Sequence, residues 1–359
     1  MTIDLATLGW SPFFADAFAD AFAAVRVPGV VPARVATEDK HFYTVVGAEG
    51  DVIAVISGKL HHRRRSDSAL PKVGDWVAIE RQPGEKKAII HAVLPRRTTL
   101  TRKVTGREIV EQVLATNLDT AFIVQALDPT FNLRRLERFL VMVHEGGARP
   151  VVILNKADLC DDLAARVSET QAAAGDATVI TVSARTRKGI GQLREFIRPG
   201  ETVAFIGTSG VGKSSLINRL NGEATQPTIE VRASDSKGRH STTWRELIPL
   251  PGGGLVIDTP GMREFHMWVA GEGLDVAFPD LVAIAAGCRF RDCRHENEPG
   301  CAVKAAVAAG TVTTERHGSF LKLQRELAFI AEERKQHTYM VNKRRVQTGT
   351  KAWLQKDIL

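Results

Sequence analysis

With 359 residues, 44% of them apolar and 25% charged, the chain has the length and composition of an ordinary soluble protein of two or three domains. No apolar run approaches the roughly 20 residues of a membrane span. Asp4, Asp16 and Asp20 stand where a secretory signal would be basic and then apolar, so a cytoplasmic protein with no membrane partner is expected. The net charge of +7 leaves room for a polyanionic partner such as RNA.

Residues 1–28 read as an N-terminal helical extension. Phe14, Phe18, Ala21, Phe22 and Val25 recur near the helical period, with Asp16 and Asp20 off that stripe. The stripe lacks the Lys and Arg of a membrane-surface helix, so it is expected to dock on its neighbour. Pro28-Gly29 ends it. Residues 29–105 change character. Short strand-like runs at 33–36, 41–46, 52–56, 76–79 and 88–93 are parted by Gly47, Gly50, Gly74-Asp75 and Pro83-Gly84. Five short strands in about 65 residues predict a small barrel of the OB-fold kind. His61-His62-Arg63-Arg64-Arg65 is expected in a barrel loop, with Arg96, Arg97, Arg102, Lys103 and Arg107 after it. Such a run is either a solvated loop or a contact for nucleic-acid backbone.

Residues 110–268 alternate strand and helix. Strands are expected at 120–124, 150–154 and 178–182, and helices at 133–143, 161–173 and 189–197. This alternation predicts a mostly parallel sheet covered on both faces, with ligands at the C-terminal strand ends. The run 202–206 leads into Gly207-Thr208-Ser209-Gly210-Val211-Gly212-Lys213-Ser214, and Ser215 onward reads as a helix start. Strand, glycine loop and helix is the setting of a phosphate-binding P-loop. Its backbone N–H groups and helix N-terminus favour a polyphosphate. Lys213 reaches the outer phosphates and Ser214 can hold Mg2+.

Further motifs fall at strand ends. Asn155-Lys156-Ala157-Asp158 offers a carboxylate for the N1–H and 2-amino group of guanine, two donors that adenine lacks. Asn155 would either bond the base edge or brace the P-loop, and the Lys156 stem would cover the ring. Backbone N–H groups at Ser183-Ala184 could reach the guanine O6. Asp258-Thr259-Pro260-Gly261 places a carboxylate near Mg2+ and a glycine N–H near the terminal phosphate. Gly238-Arg239-His240-Ser241-Thr242-Thr243 precedes a strand and could complete the Mg2+ shell through Thr242 or Thr243. Singly these motifs are weak; joined to a P-loop they specify GTP and GDP.

Their order is unusual. N-K-A-D and S-A-R precede the P-loop, so the domain is circularly permuted, with Arg198-Pro199-Gly200-Glu201 joining what are normally its two ends. The second switch then runs straight into residues 269–359, so nucleotide state could reposition that part of the chain. There Cys288, Cys293, His295 and Cys301 lie within fourteen residues. In a reducing compartment they make a Cys3His set for one structural Zn2+. The surroundings are expected to be mostly helical, with a helix over 320–330 and a basic tail at Lys343-Arg344-Arg345 and Lys351.

Together G-T-S-G-V-G-K-S-S-L-I-N, the permuted N-K-A-D, G-R-H-S-T-T, D-T-P-G and C-x4-C-x-H-x5-C resemble the bacterial RsgA/YjeQ family, also called EngC. The resemblance spans about residues 30–320, including Pro71-x-Val73-Gly74-Asp75-Trp76-Val77. It implies three parts: an OB-fold, a circularly permuted P-loop GTPase domain and a zinc-binding domain. It further implies binding to the 30S ribosomal subunit and its 16S rRNA late in maturation, with GTP hydrolysis stimulated by the subunit. Ser241 stands where the family often has threonine, which leaves the Mg2+ threonine open between Thr242 and Thr243.

Met262 follows D-T-P-G where many GTPases carry a water-orienting glutamine, and a thioether cannot do that work. Slow intrinsic turnover is therefore expected. His240 is the candidate catalytic group, an imidazole able to orient or deprotonate water; the alternative is that it packs or contacts RNA. Three rivals remain: a P-loop ATPase or kinase, against which Asp158 argues; a zinc-finger DNA regulator, whose reading-finger spacing is missing; and a GTPase of another RNA or of the large subunit. Nothing in the sequence requires more than a monomer.

Overall fold

The structure, a computed structural model, describes residues 2–40, 42–63, 66–103, 111–222, 245–258 and 273–354. They form two compact units: Met1–Thr101 with Val113–Glu264, and Arg102–Gln112 with Phe265–Leu359. Among the described residues no helix is long and apolar enough to cross a membrane.

The N-terminal segment is not one continuous helix. A 3-10 turn at Leu5–Leu8 closes on Gly9, whose φ of 84° is left-handed. Helix α1, Pro12–Val25, then starts with proline at its first turn, where the missing N–H costs nothing. Of the aromatic stripe Phe14 alone is buried, Phe18 is half-buried and Phe22 stays exposed, so the helix docks through its first turns only. Trp10 and Phe14 pack against Trp76, with ring centroids 4.6 and 5.9 Å from it.

Five strands come next: β1 (Val31–Glu38), β2 (Tyr43–Gly47), β3 (Gly50–Ile56), β4 (Trp76–Arg81) and β5 (Lys87–Val93). They close in the order β1-β2-β3-β5-β4-β1, with β3 and β5 parallel, which is OB-fold topology. Every second residue faces inward, so Val35, Val45, Val52, Ala54, Val77, Ile79 and Ile90 fill the barrel. Bulges between Val35 and Thr37 and between Ala78 and Ile79 allow the strands to bend into closure. The His61-His62-Arg63 run departs from the expected loop. It lies in a short helix α2, Gly58–Arg63, whose start is held by Ser57 Oγ accepting from Leu60 N.

Strands β6 (Thr99–Lys103) and β7 (Glu111–Thr116) pair as a ribbon. Neither is expected from the sequence pattern, because Thr, Arg, Lys, Glu and Gln dilute any apolar period there. The α/β sheet then builds up: β8 (Thr120–Ala126), α3 (Leu133–Glu145), β9 (Arg149–Asn155), α4 (Leu163–Ala174), β10 (Thr178–Thr181), α5 (Ile190–Arg194), β11 (Thr202–Ile206), α6 (Lys213–Asn221), β12 (Glu246–Pro249) and β13 (Leu255–Asp258). The order is β10-β9-β8-β11-β13-β12, parallel except for β12. β8 is buried throughout, as a central parallel strand must be. Leu136, Phe139, Leu140 and Val143 of α3 are buried on the predicted face, and Asn132 caps that helix. α5 is shorter than the expected 189–197, because residues 195–197 tighten into i→i+3 bonds.

Barrel and sheet share one unit and one hydrogen-bonded surface, through the bridge Thr37↔Glu246. The segment before β4 seats on the turn after β7. Thr116 N and Oγ1 donate to Val73 O, and Asn117 Nδ2 donates to Gly74 O. Gly74 has φ +96° and a Cβ there would meet Thr116 O at 2.3 Å, so only glycine fits. Buried Arg34 ties three pieces together, donating to Gly74 O, Leu8 O and Asn117 O.

The second unit holds α7 (Gly273–Ala277), α8 (Pro279–Ala285), α9 (Ala302–Ala308) and α10 (Thr314–Leu354). Leu274, Phe278, Leu281, Val303, Phe320, Leu323 and Leu327 are buried there, with Phe278 and Phe320 edge to face at 5.4 Å. α10 starts six residues before the expected 320 and continues far past 330, through the basic tail as far as Leu354.

Candidate active site and metal centre

β11 delivers the chain to the glycine loop at the C-terminal edge of the sheet, and α6 starts at Lys213. Gly207 must be glycine: a Cβ there would lie 2.5 Å from Val124 O. Gly212, φ +98°, must be glycine for another reason. Its Cβ would meet Asn155 Nδ2 at 2.3 Å, so the missing side chain lets N-K-A-D approach the P-loop. Asn155 uses that approach, donating to Val211 O at 2.8 Å and accepting from Ala184 N at 3.1 Å. These bonds brace the P-loop against the turn, and the Ala184 N–H is directed at Asn155. Arg219 of α6 holds the same turn, donating to Ala184 O at 2.9 Å.

Lys213 is buried and its Nζ donates to Gly207 O and Thr208 O at 2.9 and 3.0 Å. Burial pushes this lysine down to about 8, against the pull of Asp258. Burial also pushes Asp258 up to about 6, with Lys213 opposing the shift and Glu246 adding to it. A cation and a carboxylate, both poised near neutrality, thus face the end of the sheet where polyphosphate and Mg2+ would sit. Ser209, Gly210, Ser214 and Ser215 are solvent-exposed on the loop's open side.

From Gly210 and Gly212 a cleft of about 730 Å³ runs to Asn155, Lys156, Asp158 and Ala184. Asp158 Oδ1 accepts from Ser183 Oγ at 2.6 Å, and Oδ2 pairs with Arg185 Nε at 2.9 Å. The Ser183 bond, helped by Arg185, holds the Asp158 carboxyl below the usual carboxylate range, so it is a fixed acceptor. Lys156 stands in the left-handed region, φ 62°, and its Nζ is pinned by Asp128 Oδ2 at 2.7 Å. Burial alone would raise Asp128, but hydrogen bonds from Lys156 and Thr130 outweigh it and hold it at about 2.

Asp128, Arg135 and Arg219 carry no motif that marks them in the sequence, and Arg185 is the last residue of S-A-R, given no role of its own there. Arg135 reaches from α3 to Thr208 Oγ1 at 3.4 Å. The signal for Asp128 was its place, two residues past the end of β8, where α/β sheets bind ligands. His240, Thr242, Thr243, Gly261 and Met262 lie outside the described residues.

In the helical unit Cys288, Cys293, His295 and Cys301 converge, their ligand atoms all within 4.8 Å of one another. Cys288 Sγ and Cys301 Sγ are 4.0 Å apart, and both stand close to His295 Nδ1, at 3.6 and 3.5 Å. Tetrahedral Zn2+ with bonds of about 2.0–2.3 Å separates its ligand atoms by about 3.5–3.8 Å, so the donor set fits the ion. Backbone N–H groups stabilise thiolates there: Ala302 N donates to Cys288 Sγ and Lys304 N to Cys301 Sγ. His295 O accepts from His317 Nε2, and Phe320 flanks the ring.

A P-loop on a parallel sheet, with the N-K-x-D and S-A strands arriving before it in the chain, defines a circularly permuted P-loop GTPase. An OB-fold barrel precedes it and a helical Cys3His unit able to hold zinc comes after. The comparisons agree. A family model described as RsgA GTPase matches residues 93–268. The small ribosomal subunit biogenesis GTPase RsgA of Opitutus terrae is 48% identical over 91% of this chain and 90% of its own. That of Syntrophotalea carbinolica is 43% identical over 96% of both. The crystal structure of YjeQ from Thermotoga maritima superposes with a TM-score of 0.63 at 28% identity, covering 83% of this chain and 99% of that one. The chain belongs to the RsgA GTPase family and is a ribosome-biogenesis GTPase that hydrolyses GTP.

Proposed function

We propose that this protein binds the small (30S) ribosomal subunit late in its maturation, contacts 16S rRNA, and hydrolyses GTP faster when the subunit is bound. The observation that carries the nucleotide half is one cleft joining the P-loop to Asp158. The partner half is supported by the names of the relatives from Opitutus terrae and Syntrophotalea carbinolica and by the net charge of +7. The protein works as a monomer in the cytoplasm.

Asp158 takes the guanine N1–H and 2-amino donors, and the Lys156 stem covers the ring. Ser183 orients Asp158, while Ala184 and Asn155 brace the base site against the P-loop. Gly207, Thr208, Ser209, Gly210, Val211, Gly212 and Ser215 surround the phosphates, and Lys213 leaves its carbonyl partners for the outer ones. Ser214, Asp258 and one of Thr242 and Thr243 would hold Mg2+, which supplies charge neutralisation on the phosphates. The Gly261 N–H meets the terminal phosphate. His240 orients the attacking water, a task Met262 cannot perform. Cys288, Cys293, His295 and Cys301 hold one structural Zn2+.

The test is GTP turnover by the purified protein alone, with small subunits and with large subunits, with ATP as a control nucleotide. Strong stimulation of GTP turnover by small subunits alone is expected. Stimulation by large subunits, or ATP turnover at a similar rate, would overturn the partner or the base assignment respectively. His240→Ala should lower stimulated kcat about a hundredfold with GDP affinity unchanged. Full stimulated turnover in that variant would remove the catalytic role.

A further inference from the structure

Asp158 already has a cationic partner inside the cleft. Arg185 Nε lies 2.9 Å from Asp158 Oδ2, and both residues line the cavity. The two members of the pair differ in how firmly they are held. The Asp158 side chain is 14% exposed and the Arg185 side chain 75%. The carboxylate is anchored from behind: Ser183 Oγ donates to Oδ1, and Ser183 Oγ itself accepts from Thr186 N at 3.0 Å. Other cations of the cleft have fixed duties elsewhere. Lys156 is pinned by Asp128, and Arg219 donates to Ala184 O.

The chemistry of the contact matters. A guanidinium edge presents parallel N–H donors in one plane. The guanine edge presents the same fork through N1–H and its 2-amino group. Through Nε, one donor of the guanidinium edge occupies Oδ2 of Asp158, an oxygen that a guanine N–H would have to take. This inference rests on the proposed guanine site and deepens it.

We propose that Arg185 is a built-in competitor for the guanine edge, pairing with Asp158 until GTP or GDP displaces it into solvent. The base is common to both nucleotides, so the competitor weakens both equally and leaves the choice between them to the phosphate end. An exposed cation costs little to displace, so the effect is small: about two- to fivefold in affinity, the worth of an exposed ion pair. It is also screened by salt.

The experiment is calorimetric titration of GDP and of a non-hydrolysable GTP analogue into the full chain and its Arg185→Ala and Arg185→Gln variants, at low and at high salt. Both variants should bind both nucleotides about two- to fivefold more tightly at low salt, with the gain shrinking at high salt. A thermal melt checks that the exposed substitutions leave the fold intact. The effect of the Arg185 substitutions is also measured in an Asp158→Asn background with xanthosine diphosphate, whose 2-carbonyl accepts from the new amide. There the gain should vanish, because the charge Arg185 pairs with is gone. Weaker or unchanged nucleotide binding in Arg185→Ala overturns the proposal alone, as does an equal gain in the Asp158→Asn background. A full chain that binds no guanine nucleotide, with or without Arg185, overturns the guanine reading and the competitor together.

Discussion

The nucleotide cleft and the cysteine centre solve the assembly of a site in opposite ways. The four metal ligands come from one stretch of fourteen residues, Cys288 to Cys301, and local turns bring them together. The cleft is gathered from strand ends far apart in the chain. Asn155 bonds Val211 across 56 residues, Arg135 reaches Thr208 across 73, and Lys156 meets Asp128 across 28. Short-range assembly makes a centre whose geometry belongs to its own turns. Long-range assembly makes a site whose geometry is a property of the whole sheet, held by the core beneath it. Damage should therefore spread in one case and stay local in the other.

The largest expected effect tests the first half. Cys301 is buried, and its sulfur both faces the cluster and caps α9. Zinc centres of this kind supply about 10–16 kcal/mol of apparent binding free energy to the fold around them. Cys301→Ser or a strong chelator should remove the metal and unfold the helical unit, read by metal analysis and loss of helical circular dichroism. GDP binding in the cleft should survive. Retained helicity without metal would show that the apolar core around Phe278 and Phe320 holds the unit unaided. Next in size, Lys213→Ala removes the buried ammonium but no part of the hydrophobic core. GTP turnover should fall at least about a hundredfold while the melting temperature stays near that of the parent, because the lysine's bonds are confined to Gly207 and Thr208 of the loop.

The same division governs how much of the molecule is legible in the sequence. The Cys3His centre was legible as spacing alone. The P-loop was legible because Gly207 and Gly212 answer steric demands that only glycine meets. The barrel was legible from five short strand-like runs parted by turn residues, and the permuted order from the order of the motifs. Residues whose meaning depends on which strand ends become neighbours were not legible. Asp128 sits in an ordinary Asp-Pro turn until β8 and β9 lie side by side, and Arg34 is one arginine among many until Asn117, 83 residues on, packs over it. The β6–β7 ribbon escaped because its polar residues erase the apolar period. Of the two roles offered to Asn155, the contact with the P-loop is the one the structure displays, because Gly212 leaves room for its amide.

A pH profile sharpens the view of the phosphate end as a coupled pair. Held by Asp258 as proposed, Mg2+ would need the ionised carboxylate, which burial has pushed up to about 6. Below that value a proton competes, so Mg2+-dependent nucleotide affinity should fall roughly tenfold between about pH 7 and about pH 5. On the proposed reading Lys213 would bind phosphate as the ammonium, and burial has pushed it down to about 8, so affinity should decline again above that value. The expected profile is bell-shaped with flanks near the two values. Asp258→Asn should flatten the acidic flank alone; an acidic flank that persists would assign it to another group.

The smallest effect probes how far a strand-end contact acts through its neighbour. Asp128 is not expected to touch nucleotide. It fixes the ammonium of Lys156, whose side chain is about a third exposed, and it is itself oriented by Thr130 N and Oγ1. Asp128→Asn keeps the shape and removes the charge. Lys156 would then swing free, and its stem would lose the ordering that the proposed cover over the base requires. For a partly exposed charged hydrogen bond the loss is modest, about fivefold in affinity for GDP and for a GTP analogue alike. Equal loss for both nucleotides is the signature of the base side, since the phosphate end is untouched. A loss confined to the GTP analogue would instead mean that the turn holding Asp128 and Thr130 works through Arg135 and Thr208, on the phosphate side of the same loop.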